Sequence, residues 1–175
     1  PSVKPYQPPG LWEAVSYNAE DSYVPDTGAG LWRRGLYTHV KRQAPPPTLL
    51  TFDGPTREKC TLRRPRTNTP LQALQLLNDE TFVEAARALA VRAMNAPGKD
   101  EARLSHLWRT ALLRTAQPEE LDLLRGLLVR QRARFAADPG AAKRLLAVGA
   151  AKADPRFEPT ELAAWSVVAH TLLNI

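Results

Sequence analysis

The sequence predicts a mostly α protein, a helical bundle of about five helices preceded by a long Pro-rich irregular N-terminal arm. Three observations carry that prediction. Eleven of the sixteen prolines lie in residues 1–70, where missing amide donors and an extended bias on each preceding residue break up regular elements. From Thr69 onward, apolar residues recur at helical spacing. The five later prolines stand at or just before predicted helix starts, where a missing amide hydrogen is tolerated.

In the arm, residues 1–68, only short elements fit. Leu11-Trp12-Glu13-Ala14-Val15 reads as a brief helix opened by Pro9-Gly10. Leu31 to Arg42 satisfies neither the helical nor the strand period well, leaving helix or strand open. Pro45 to Thr48 reads as polyproline-like. The bundle, residues 69–175, begins at a capping box: Thr69 as N-cap, Pro70 at the first helical position and Gln72 reaching back. Leu71, Leu74 and Leu77 mark one face of that helix.

Asn78-Asp79 breaks the helix, and Asp79 caps a continuation with Phe82, Val83, Ala86, Leu89 and Ala90 inward, ended by Pro97-Gly98. Leu104, Leu107, Trp108, Ala111 and Leu112 form the next stripe. Pro118-Glu119-Glu120 opens a helix with acids favourably placed in its first turn, burying Leu121, Leu124, Leu128 and Phe135. A short helix starts at Asp138-Pro139. The last starts at Pro159 and buries Leu162, Trp165, Ala169 and Leu172. Arm and bundle together read as one structural domain. With Pro1 in place of an initiator Met and Ile175 inside an apolar run, the chain reads as a piece of a larger protein.

Composition excludes several classes. With 43% hydrophobic and 24% charged residues the chain is neither disordered nor a coiled coil. No stretch reaches the ~18 apolar residues of a membrane span. One cysteine, Cys60, excludes an internal disulfide framework, a Cys-rich zinc site and the Cys-x-x-Cys-His attachment of haem c. His39, His106 and His170 lack metal-ligand spacing, so no metal site is expected. The acid pairs Glu20-Asp21, Asp79-Glu80 and Glu119-Glu120 read as caps or first-turn charges. With no Gly-rich phosphate loop and no Gly-x-Ser-x-Gly, no catalytic residue is assigned. Cys60 has basic neighbours that favour a thiolate, and His39 is its one candidate base. The alternative is a small buried hydrophobe.

The net charge of +6 is concentrated between Arg33 and Arg66, where nine basic residues face only Asp53 and Glu58. Arg57, Lys59, Arg63, Arg64 and Arg66 fall within ten residues and form a candidate anion-binding patch, because guanidinium forks match oxyanions. No helix-turn-helix, zinc-finger or aromatic RNA-binding signature accompanies them, which argues against nucleic acid as the partner. The competing reading has these arginines pin the arm to acidic groups of the bundle. Asn68, Gln72 and Asn78 extend the patch as a polar network joining arm to helix, or as a pocket for a polar ligand.

Several long motifs stand out: Pro5-Tyr6-Gln7-Pro8-Pro9-Gly10-Leu11-Trp12, Leu31-Trp32-Arg33-Arg34-Gly35-Leu36-Tyr37-Thr38, Thr51-Phe52-Asp53, Arg63-Arg64-Pro65-Arg66-Thr67-Asn68-Thr69-Pro70-Leu71-Gln72-Ala73-Leu74 and Leu77-Asn78-Asp79. With these the chain resembles the planctomycete-type C-terminal domain of unknown function 1553, strongly over residues 5–90 and in helical pattern beyond. The resemblance implies a large secreted, periplasmic or envelope-associated bacterial parent that also carries a planctomycete-type cytochrome c domain. Any haem c would then lie elsewhere in that parent, and no cofactor is expected in this chain.

The resulting expectation is a non-catalytic accessory or interaction domain whose partners are other domains of the parent chain. The alternatives are a module that binds an anionic ligand or polysaccharide through the arginine patch, and part of an enzyme completed by the parent.

Overall fold

The computed structural model describes residues 2–17, 22–56 and 58–175. The fold is mostly α, with seven helices among the described residues and no strand beyond two isolated bridges. The chain divides into two compact units, Pro1–Gln75 and Leu76–Ile175.

In the first unit, regular structure is confined to three 3-10 turns, Glu13–Val15, Gly28–Gly30 and Gly35–Tyr37, a short helix α1 (Pro47–Thr51), and the start of α2 (Pro70–Asn78). The brief helix expected at residues 11–15 is the first of these turns. Leu31 to Arg42 forms neither a helix nor a strand: it holds the Gly35–Tyr37 turn and a single parallel bridge from Thr38 to Val3. That bridge hooks the N-terminal segment through Val3 N to Tyr37 O and His39 N to Val3 O, both 2.8 Å. Pro46 has the extended backbone expected of a polyproline stretch, but Pro47 already starts α1, because the fixed φ of proline fits the first helical position. Tyr23 donates its hydroxyl to Pro5 O at 2.5 Å, and burial, helped by the charge of Asp26, pushes its phenol up to about 12.

The second unit is a bundle of α3 (Glu80–Met94), α4 (Asp100–Leu112), α5 (Pro118–Ala137), α6 (Pro139–Leu146) and α7 (Pro159–Leu172). Helix α7 packs against the other four. It buries the expected Leu162, Trp165, Ala169 and Leu172 and also Ala163, Ala164, Ser166 and Val168. A helix apolar on nearly every side belongs at the centre of a bundle. The predicted stripes of α4 and α5 hold: Leu104, Leu107, Trp108, Leu124, Leu128 and Phe135 are all buried. Asp79 caps α3 by accepting from Thr81 N at 2.9 Å. On α2, Leu71, Leu74 and Leu77 do share a face, but that face is 60%, 56% and 48% exposed. Helical spacing fixes which side chains lie together and leaves open whether anything covers them.

Polar ties complete the bundle. Arg132 on α5 bonds Asp100 at the start of α4 and both carboxylate oxygens of Glu161 on α7. Glu161 in turn accepts from the Trp165 indole at 2.9 Å. His106 and His170 are half-buried: His106 meets the Thr110 hydroxyl, and His170 lies 2.7 Å from Leu76 O.

Candidate functional site

The candidate site is built from residues Thr51 to Gln72 of the first unit, and of the site residues singled out from sequence only Asn78 belongs to the second. Helix α1 ends in a tight turn, where Gly54 N donates to Leu49 O at 2.6 Å. A β-carbon on Gly54 would run into that same carbonyl, so the turn requires glycine. Asp53, just before it, takes the left-handed conformation at φ 58°, which aspartate tolerates better than most residues. This geometry aims the carbonyls of Phe52 and Asp53 at one guanidinium. Arg64 donates Nη2 to Phe52 O at 2.6 Å and Nε to Asp53 O at 3.1 Å.

The returning chain is fastened on the other side of Asp53. Thr67 N donates to Asp53 Oδ2 at 2.8 Å, and the Thr67 hydroxyl lies 3.0 and 2.9 Å from the two carboxylate oxygens. The Thr67 amide, and after it the Thr67 hydroxyl, hold the Asp53 carboxyl below the usual aspartate range. Gln72 closes the base. Its amide nitrogen donates to Thr51 O and the Thr67 hydroxyl, both at 2.9 Å. Its oxygen accepts from Thr69 N at 3.1 Å while Thr69 Oγ1 accepts from Gln72 N at 3.3 Å, the reciprocal capping box.

The loop so fixed frames an open cleft of about 900 Å³, lined among others by Phe52, Asp53, Leu62, Arg63, Arg64 and Arg66. Among the described residues three arginines face one aspartate in this lining, and that aspartate is occupied by Thr67. Arg64 is held by backbone carbonyls. Arg63 and Arg66 are exposed and make no hydrogen bond or ion pair with any described residue. An exposed guanidinium with free donors on a fixed loop is suited to an oxyanion.

Of the residues singled out from sequence, Arg63, Arg64, Arg66 and Gln72 line this cleft together. Lys59 is exposed and outside the lining, and Arg57 lies outside the described residues. Gln72 is buried, whereas Asn68 and Asn78 are exposed, so burial does not bring those three into one interior network. Cys60 is exposed and free, in contrast to the buried-hydrophobe alternative. The ring of His39 packs 5.6 Å from Trp12. Among the described residues no group of three or more His, Cys, Asp or Glu could hold a metal ion.

Sequence reasoning did not single out Asp53 or Thr67 as organisers of the site. The available signal was the Asp53-Gly54 dipeptide, a turn marker with φ tolerance at both positions.

A model of the family described as Protein of unknown function (DUF1553) matches residues 1–128. No curated protein and no solved structure matches the chain.

Proposed function

Because the chain belongs to the DUF1553 family of proteins of unknown function, its role is read from its own residues, and we propose a non-catalytic accessory or interaction domain that grips oxyanion groups of a partner. The observation that carries this reading is the pair Arg63 and Arg66, without a partner among the described residues, lining one open cleft with a third arginine that two backbone carbonyls hold in place. Carboxylate, sulfate or phosphate oxygens would take the free donors. Three exposed cations on one rim also give long-range attraction that salt weakens.

The same proposal has the domain serve other domains of a multidomain secreted, periplasmic or envelope protein, with any haem c held by those domains. Its support is the motif likeness over residues 5–90.

The experiment is a titration of the protein with fluorescently labelled tetraglutamate and with heparin, at low and at high salt. Binding that weakens steeply with salt and is lost in the Arg63→Ala/Arg66→Ala double variant is the expected result. Both substituted side chains are exposed, so the variant should keep its circular dichroism spectrum. Failure of both probes to bind the wild-type protein at low salt overturns the reading.

A further inference from the structure

The arginine cleft has a neighbour. A second cleft of about 420 Å³ is lined by Arg34, Leu36, Val40, Leu49, Leu50 and further residues that include Pro55 and Arg64. Pro55 and Arg64 line the first cleft too, so the two are adjoining halves of one groove. Their chemistry differs. The first half carries Arg63 and Arg66. The second presents aliphatic side chains, with Leu36 75% exposed and Leu50 46% exposed. Arg34 on the rim of the second half is exposed and makes no side-chain bond with any described residue.

We propose that this groove takes an acidic peptide segment that carries aliphatic side chains, its carboxylates on Arg63, Arg64 and Arg66 and its apolar side chains among Leu36, Leu49 and Leu50. The proposal rests on the oxyanion reading above and adds the class of partner. Charge complementarity argues for it: among the described residues four arginines border the groove, and the one acid in its lining, Asp53, is engaged by Thr67. The apolar half argues for a peptide over a sugar polymer. Exposed leucines gain by covering aliphatic side chains, while a polysaccharide offers hydroxyls that would lose water there without a partner. The turn that shapes the apolar half is also pinned, by Gly54 N to Leu49 O, so little ordering is needed on binding.

The test compares three labelled probes on the intact chain: tetraglutamate, tetraglutamate extended by two leucines, and heparin. The extended peptide is expected to bind about tenfold tighter than tetraglutamate, the gain from burying part of two leucine side chains. Leu36→Ser, an uncharged change at an exposed position, should remove most of that tenfold difference while leaving tetraglutamate binding within about twofold, since it adds no charge to the cationic groove. Arg63→Ala/Arg66→Ala should remove binding of both peptides. Equal affinity for the two peptides, with Leu36→Ser silent, overturns the peptide inference and leaves the oxyanion reading standing. Heparin binding with neither peptide bound does the same. Failure of all three probes overturns both.

Discussion

Arg87 and Glu84 lie buried together one turn apart on α3, with Arg87 Nη2 3.3 Å from Glu84 Oε1, and between them they hold the chain that links α6 to α7. Arg87 donates to Leu146 O at 2.7 Å, Val148 O at 3.0 Å and Ala151 O at 2.6 Å. Glu84 accepts from Ala151 N at 2.5 Å. The linker has no regular structure to satisfy its own carbonyls, so a buried ion pair supplies the donors and acceptor in its place.

Removing Arg87 leaves the last carbonyl of α6 and two linker carbonyls short of a donor, and Glu84 buried without its cation. Breaking a buried pair in this way costs about 3–5 kcal/mol. Arg87→Ala is therefore expected to lower the unfolding free energy by that amount in urea denaturation. The Glu84→Ala/Arg87→Ala double variant should lose less than the two single losses added together. Additive losses would show that the two side chains act separately.

Gly149 tests the same staple from the linker side. It sits at φ 82°, and a β-carbon there would collide with the Glu84 side chain. Gly149→Ala combines a left-handed strain of roughly 1–2 kcal/mol with that collision. It should destabilise more than alanine at Gly10, which has the same kind of φ at 84° and open space around it. Equal effects on the thermal midpoint at the two positions would count against a close Glu84 contact.

The bundle was readable because its pattern is redundant. Leu104, Leu107 and Trp108, or Leu124, Leu128 and Phe135, repeat one period often enough to fix a face. Glu84 and Arg87 escaped because charged residues are read as solvent-facing. Yet Arg87 falls four residues after Val83 and three before Ala90, inside the predicted apolar stripe of α3. A charge in that register signals a buried partner. In the first unit the capping box of Thr69 and Gln72 was legible, since it is local. The alignment of Arg64 with the carbonyls of Phe52 and Asp53 joins residues eleven and twelve positions apart through a glycine-dependent turn, which no periodicity encodes.

The acid limb of the stability profile follows from three paired carboxyls. Arg114, with the Gln117 amide, holds Glu120 down at about 2, and Arg156 holds Asp154 at about 2. Arg132 lowers Asp100. Groups whose folded pKa lies below the unfolded value, about 4 for carboxylates, contribute fully above that value and cease to contribute as pH falls through the folded pKa. The urea midpoint should therefore stay level from pH 7 to about 5 and decline between about pH 5 and 2. In Arg114→Gln, Glu120 followed by NMR should titrate higher than in the wild type yet stay below the ordinary glutamate value of about 4.3, because the Gln117 amide still favours its carboxylate. A Glu120 titration unchanged by that substitution would show that Arg114 is not its main partner.

Leu113 closes α4 in the left-handed conformation at φ 58° and ψ 22°, its amide bonded to Arg109 O at 3.0 Å. This position usually belongs to glycine. A leucine there bears roughly 1–2 kcal/mol of conformational strain. At 88% exposed its side chain returns little by packing. Glycine removes the strain, and its greater freedom in the unfolded chain takes back about 0.5–1 kcal/mol. Leu113→Gly should stabilise by about 0.5–1 kcal/mol, a rise of roughly 1–4 °C in thermal midpoint for a chain of this size. Leu113→Val should act in the opposite direction, because β-branching makes the left-handed region harder to reach. If glycine lowers the midpoint and valine leaves it unchanged, α4 does not end on a left-handed residue in solution.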